Sequence, residues 1–112
     1  MRYMLLLYVS DRPQPNTAEG EAMFDAIRSF HRECQERNVL VESAPLNRPE
    51  TAVSVRVRQR KLLRTDGPFA ETTEWLGGYF ILDCRDLDEA LELAARCPTA
   101  AEGTVEVRQI MA

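Results

Sequence analysis

Along this chain the spacing of apolar side chains switches between two periods in a fixed order: strand, helix, strand, hairpin, strand, helix, strand. A strand shows alternate residues to opposite faces, whereas a helix returns to one stripe every three to four residues, so each switch marks an element boundary. Residues 2–9 are apolar at Tyr3, Leu5, Leu7 and Val9 and again at Met4, Leu6 and Tyr8, which predicts a central strand buried on both faces. The segment DRPQPN breaks it with two prolines. Thr17 then stands as an N-cap, with Glu19 and Glu21 in the first turn where the helix dipole favours negative charge. Met23, Ile27, Phe30 and Cys34 predict an amphipathic helix over 18–37, closed by Asn38 in the left-handed conformation.

A second strand follows from Val39 to about Pro45. Val53, Val55 and Val57 alternate with Ser54, Arg56 and Arg58, and Lys61 to Thr65 returns antiparallel after a turn at Gln59 and Arg60. That turn lacks the Gly or Asn usual for a two-residue hairpin, so its type stays open. Tyr79 to Cys84 reads as another strand behind Gly77 and Gly78. Asp86 with Glu89 forms an acidic variant of the capping box, opening a second helix that ends at Cys97 before Pro98. Thr104 to Ile110 is the last strand.

This order is a split βαβ pattern with an inserted β-hairpin, which predicts a single α+β domain over 1–112: a ferredoxin-like sandwich. Two helices cover one sheet face only. The other face would carry Leu, Val and Tyr side chains with no layer of the same chain above them, so we expect a homodimer.

Charge and cysteine content narrow the function classes. The net charge is −4, opposite to the basic excess of domains that hold a phosphate backbone, so nucleic acid is not the expected partner. No apolar run approaches the roughly 20 residues that span a bilayer. The opening MRYMLLLYVSDR fits a strand better than a signal peptide, so we expect a cytoplasmic protein with no membrane partner. Cys34, Cys84 and Cys97 are odd in number and widely spaced, which suits buried apolar side chains rather than disulfides or zinc. With His31 as the single histidine, a His-rich metal site is not expected, and no cofactor is indicated.

The stretch TDGPFAETTEWLGGYFILDCRDLDEALELAARCP, followed by GTVEVRQI and preceded at the start by MRYMLLLY, resembles the DGPF branch of the YCII-related proteins. The resemblance covers nearly the whole chain and implies dimers of the α-β barrel kind. It also implies a pocket: YCII-like proteins are proposed to be enzymes through a histidine and aspartate pair, and some relatives are fused or adjacent to sigma factors. This chain departs from that pattern, with Glu102 before Gly103 where relatives often carry histidine, and Cys97 before Pro98 where they carry aspartate.

Several residues can carry chemistry. Asp66-Gly67-Pro68 is accounted for by turn formation alone, since each residue type favours a tight turn. Equally, Asp66 and Glu71 at a sheet end form a carboxylate pair suited to general acid-base work, with His31 on the border of the first helix's apolar stripe as a further base. Arg56 and Arg64 could hold an anionic group, though charged residues also deter edge pairing of an exposed hairpin. Phe69 and Trp75 could line an apolar pocket or belong to core and interface. The function expected from this set is binding of a small molecule, which could be anionic, in a dimer-supported pocket; whether it is an enzyme stays open, with acid-base chemistry as the route if it is. The alternative is a non-catalytic interaction or regulatory module linked to sigma-factor transcription.

Overall fold

A computed structural model of the chain describes residues 1–10 and 12–112; Asp11, which opens the proline-containing break, lies outside them. The described residues form β1 (Arg2–Val9), α1 (Ala18–Glu36), β2 (Leu40–Pro45), a 3-10 turn (Pro49–Thr51), β3 (Val53–Arg58) and β4 (Lys61–Asp66). β5 (Trp75–Asp83), α2 (Leu87–Arg96), a short α3 (Thr99–Glu102) and β6 (Thr104–Gln109) complete them. Four strands make one sheet in the order β2-β5-β1-β6, every neighbour antiparallel, while β3 and β4 form a separate two-stranded ribbon. This α+β arrangement is compatible with the ferredoxin-like pattern.

The helix starts follow from local chemistry. The Thr17 side chain accepts a hydrogen bond from the Gly20 amide at 3.1 Å, satisfying one of the free donors of the first turn of α1. At α2 the Asp86 carboxylate accepts from the Glu89 amide at 2.9 Å, and the Glu89 carboxylate accepts from the Arg85 amide at 2.7 Å. The reciprocal bonds of a capping box are therefore present, displaced by one residue on the return side. Asn38, at φ 58°, closes α1 as expected from its tolerance of the left-handed region.

Alternation along β1 and β5 decides what lies on each sheet face. Tyr3, Leu5 and Leu7 point to the helices with Phe80 and Leu82, where they meet Phe30 and Cys34 of α1 and Ala90, Leu93 and Ala94 of α2. Leu5, Leu82 and Leu93 are fully buried, each stabilising the fold by about 1.5–3 kcal/mol relative to exposure. The Phe30 and Phe80 rings meet edge to face at 5.0 Å. On the opposite face Met4, Leu6, Tyr8, Tyr79 and Ile81 are only half-buried. The expected two-sided character of β1 thus resolves into a packed face and a partly bare one.

Cys34, Cys84 and Cys97 are buried and unpaired, as their spacing predicted. β5 begins earlier than the sequence reading placed it. Trp75 and Leu76 already pair with Val9 and Tyr8, across a bulge between Leu7 and Tyr8.

Candidate functional site

At the carboxyl end of β1 the chain leaves a cleft of about 600 Å³. Its apolar floor comes from Val9 and Pro13 at the exit of β1 and from Ala22, Met23, Ala26 and Ile27 on the first half of α1. Pro98, Thr99 and Gly103 close the far side, and the carboxylates of Glu19 and Glu102 are the charged groups among its lining residues. Helical spacing brings Glu19, Met23 and Ile27 to one side of α1, so the wall is a direct product of the apolar stripe read from sequence.

Gly103 is required for this geometry. A Cβ there would lie 2.1 Å from the Tyr8 carbonyl oxygen, so only glycine lets the turn after α3 lie against the end of β1. Its amide donates to the Thr99 carbonyl at 2.7 Å, which holds the Glu102-Gly103 corner at the rim.

Arg12, which does not line the cleft, ties the segment after β1 to the ends of β2 and β5. Its guanidinium donates to the Leu46 carbonyl at 3.0 Å and to the Gly77 carbonyl at 2.8 Å, and it lies over the Trp75 ring at 5.0 Å. Partial burial, with repulsion from Arg48, lowers its pKa below the usual arginine value, though not into a range where its charge is lost at ordinary pH. Trp75, expected as a ligand contact, lies under the Arg12 guanidinium. No sequence pattern pointed to Arg12, because its partners are brought near it only by the sheet.

The other predicted residues gather elsewhere. Asp66 ends β4 with its side chain 87% exposed, and its carboxylate lies 3.8 Å from Arg64. Arg56 lies over the Phe69 ring at 4.8 Å, which joins two of the expected binding residues on the ribbon. Glu71 is exposed in the following loop. His31 sits half-buried on α1 beside Phe80, ring centroids 6.2 Å apart. None of Asp66, Glu71, His31, Arg56, Arg64, Phe69 or Trp75 lines the cleft.

The DGPF turn itself is built by its backbone. Gly67 has φ 104°, a region that side chains disfavour, and its amide donates to the Ala52 carbonyl at 2.7 Å. The Ser54 hydroxyl donates to the Gly67 carbonyl at 2.9 Å. These two bonds clamp the base of the ribbon. Glu74 accepts from the Thr104 hydroxyl at 2.8 Å, tying the end of the same motif to β6.

Among the described residues, no group of three or more histidine, cysteine, aspartate or glutamate side chains is arranged to hold a metal, and no helix is long and apolar enough to cross a membrane. In sequence Glu19 is a first-turn charge of α1 and Glu102 a departure from a family pattern. Their shared place at one cleft is visible only in the fold.

The sequence profile of the YCII-related domain matches residues 1–112. A protein of Rhizobium meliloti (strain 1021), named Uncharacterized protein R00369, is 34% identical over 94 residues, covering 82% of this chain and 76% of the relative.

Proposed function

The chain belongs to the YCII-related family, and from that premise we propose that it is a homodimer that binds a small molecule in the cleft at the end of β1. The observation that carries this reading is the cleft itself: about 600 Å³, with an apolar floor and two carboxylates, within the size and character of ligand sites. An apolar part of the ligand would rest on Met23 and Ile27, while its hydrogen-bond donors face Glu19 and Glu102. Glu19 and Glu102 are both exposed, and acid-base chemistry is a reaction class that carboxylates positioned beside a bound ligand can serve.

An anionic group on the ligand would find its counter-charges on the ribbon, at Arg56 and Arg64, rather than in the cleft wall. Asp66, Glu71 and His31 act in the chemistry only if a second copy, or closure on ligand, carries them toward the cleft. The homodimer is supported by the half-buried apolar stripe of Met4, Leu6, Tyr8, Tyr79 and Ile81 on the face that no helix covers.

A thermal-shift screen of small amines, neutral metabolites, carboxylates and phosphates tests the proposal. Stabilisation of the wild-type chain by one class, lost in Met23→Trp, which fills the floor, and weakened in Glu102→Gln, is the expected result. Stabilisation that survives Met23→Trp would place the ligand elsewhere, and no stabilisation by any class would overturn the reading. The second reading, a non-catalytic interaction module, is favoured by the exposed apolar side chains of the ribbon. It predicts an inert cleft and a ribbon whose substitution changes association with another protein.

A further inference from the structure

The β3-β4 ribbon stands apart from the four-stranded sheet. All six residues of β4 are exposed, and Val55, Val57 and Leu62 are 58%, 59% and 68% exposed. Cross-strand pairing sorts its side chains: Val53 opposite Asp66, Val55 opposite Arg64 and Val57 opposite Leu62 share one face. Ser54, Thr65, Arg56, Leu63, Arg58 and Lys61 share the other. A two-stranded ribbon without a third strand or a covering layer is marginal in water. This one is clamped at its base by Gly67 and is separate from the four-stranded sheet.

Charge decides what such a ribbon fits. Residues 53–66 carry five cations against Asp66, a net charge of +4 in a chain whose net charge is −4, which leaves −8 on the remaining residues. The cleft end of the molecule combines apolar Met23 and Ile27 with Glu19 and Glu102, beside Glu21 in the same first turn of α1. The cationic face of the ribbon is thus complementary to an apolar and anionic surface elsewhere on the molecule. Six-residue strands span about 20 Å, enough to cross the 20 Å thickness of a second molecule.

We infer that the ribbon is an intersubunit arm: it reaches across a second copy of the chain, seats Leu63 at the rim of that copy's cleft, and sets Arg56, Arg58 and Lys61, which share a face with Leu63, against Glu19 and Glu102. The inference rests on the homodimer proposed above and deepens it. Each cleft is then completed by the other chain, and Arg56, with the Phe69 ring it lies over, belongs to the site through the partner rather than through its own fold.

Sedimentation equilibrium of a charge-swap set tests this. Reversal of the arm (Arg56→Glu, Arg58→Glu, Lys61→Glu) and reversal of the surface (Glu19→Lys, Glu102→Lys) should each weaken the dimer by about tenfold or more, with the loss shrinking at high salt. Both reversals in one chain should restore the affinity to within about threefold of wild type. Far-UV circular dichroism establishes that each variant is folded, and Leu63→Ser provides a charge-neutral arm variant expected to weaken the dimer as well. If Leu6→Asp on the bare sheet face dissociates the dimer while every arm variant leaves it intact, the arm is overturned and the homodimer stands. A wild-type chain that is monomeric at all concentrations overturns both. Arm and surface reversals that each weaken the dimer but fail to restore it together would overturn the pairing of these two surfaces.

Discussion

Cys34 shows how much one buried side chain ties stability to pH. Burial, with the Glu33 carboxylate nearby, pushes its thiol up to about 11 from an ordinary 9.0, and burial raises Cys84 and Cys97 as well. In the unfolded chain the thiol ionises from about pH 9, while the folded chain keeps its proton until about pH 11. Stability from the protonated, buried thiol is therefore complete below pH 9 and is lost progressively between 9 and 11. Urea midpoints should fall more steeply across that window in wild type than in Cys34→Ala. At pH 8 none of the three thiols should react with an aromatic disulfide reagent until denaturant is added; rapid reaction of the native chain would contradict their burial. Gly103 is the second sensitive residue. Alanine there sets a methyl group 2.1 Å from the Tyr8 carbonyl, so Gly103→Ala should cost roughly 2 kcal/mol or more and move the rim of the cleft. A melting temperature unchanged by this substitution would show that the corner opens freely.

Elements that announce themselves by period were legible in the sequence. β1, α1, α2 and β6 stand within a residue or two of where apolar spacing and capping residues placed them. Asn38 closed α1 and Asp86 opened α2 for reasons local to each residue. What stayed hidden depends on contacts between distant segments. Arg12 reaches Leu46 and Gly77 across the sheet, α3 is a single turn with no stripe of its own, and Trp75 joins β5 because β1 bulges beside it. The candidate site was hidden for the same reason. Asp66 and Glu71 are close in sequence to a conspicuous motif, whereas Glu19 and Glu102 are separated by most of the chain and meet at one cleft only after folding. The hairpin turn is an intermediate case. Gln59 and Arg60 have φ of 49° and 65°, as a two-residue type I′ turn requires, although neither residue favours that region. Gln59→Asn with Arg60→Gly should therefore stabilise the ribbon by about 1 kcal/mol, read as slower hydrogen exchange of β3 and β4 amides. Exchange unchanged or faster would mean that the ribbon opens as a whole, independent of its turn.

For the whole molecule the decisive quantity is the free energy of covering the bare sheet face. Five half-buried apolar or aromatic side chains, Met4, Leu6, Tyr8, Tyr79 and Ile81, lie along it between two polar margins. At one margin the Tyr79 hydroxyl donates to Glu42 at 2.6 Å, a bond that raises the tyrosine pKa, and at the other Arg108 pairs with Glu106. An apolar centre with hydrogen-bonded margins is the composition of an interface core and rim. If two copies share this face, folding and association are one equilibrium and the melting temperature depends on concentration. Tenfold dilution removes about 1.4 kcal/mol per dimer, or about 0.7 kcal/mol per chain, so melting should fall by roughly 3 °C. Leu6→Asp should abolish the dependence and lower the melting point, because a carboxylate at the centre of the stripe loses its hydration on association without a partner. Were melting the same at every dilution, the stripe would be exposed on a stable single chain, and the arm would have no second molecule to grasp.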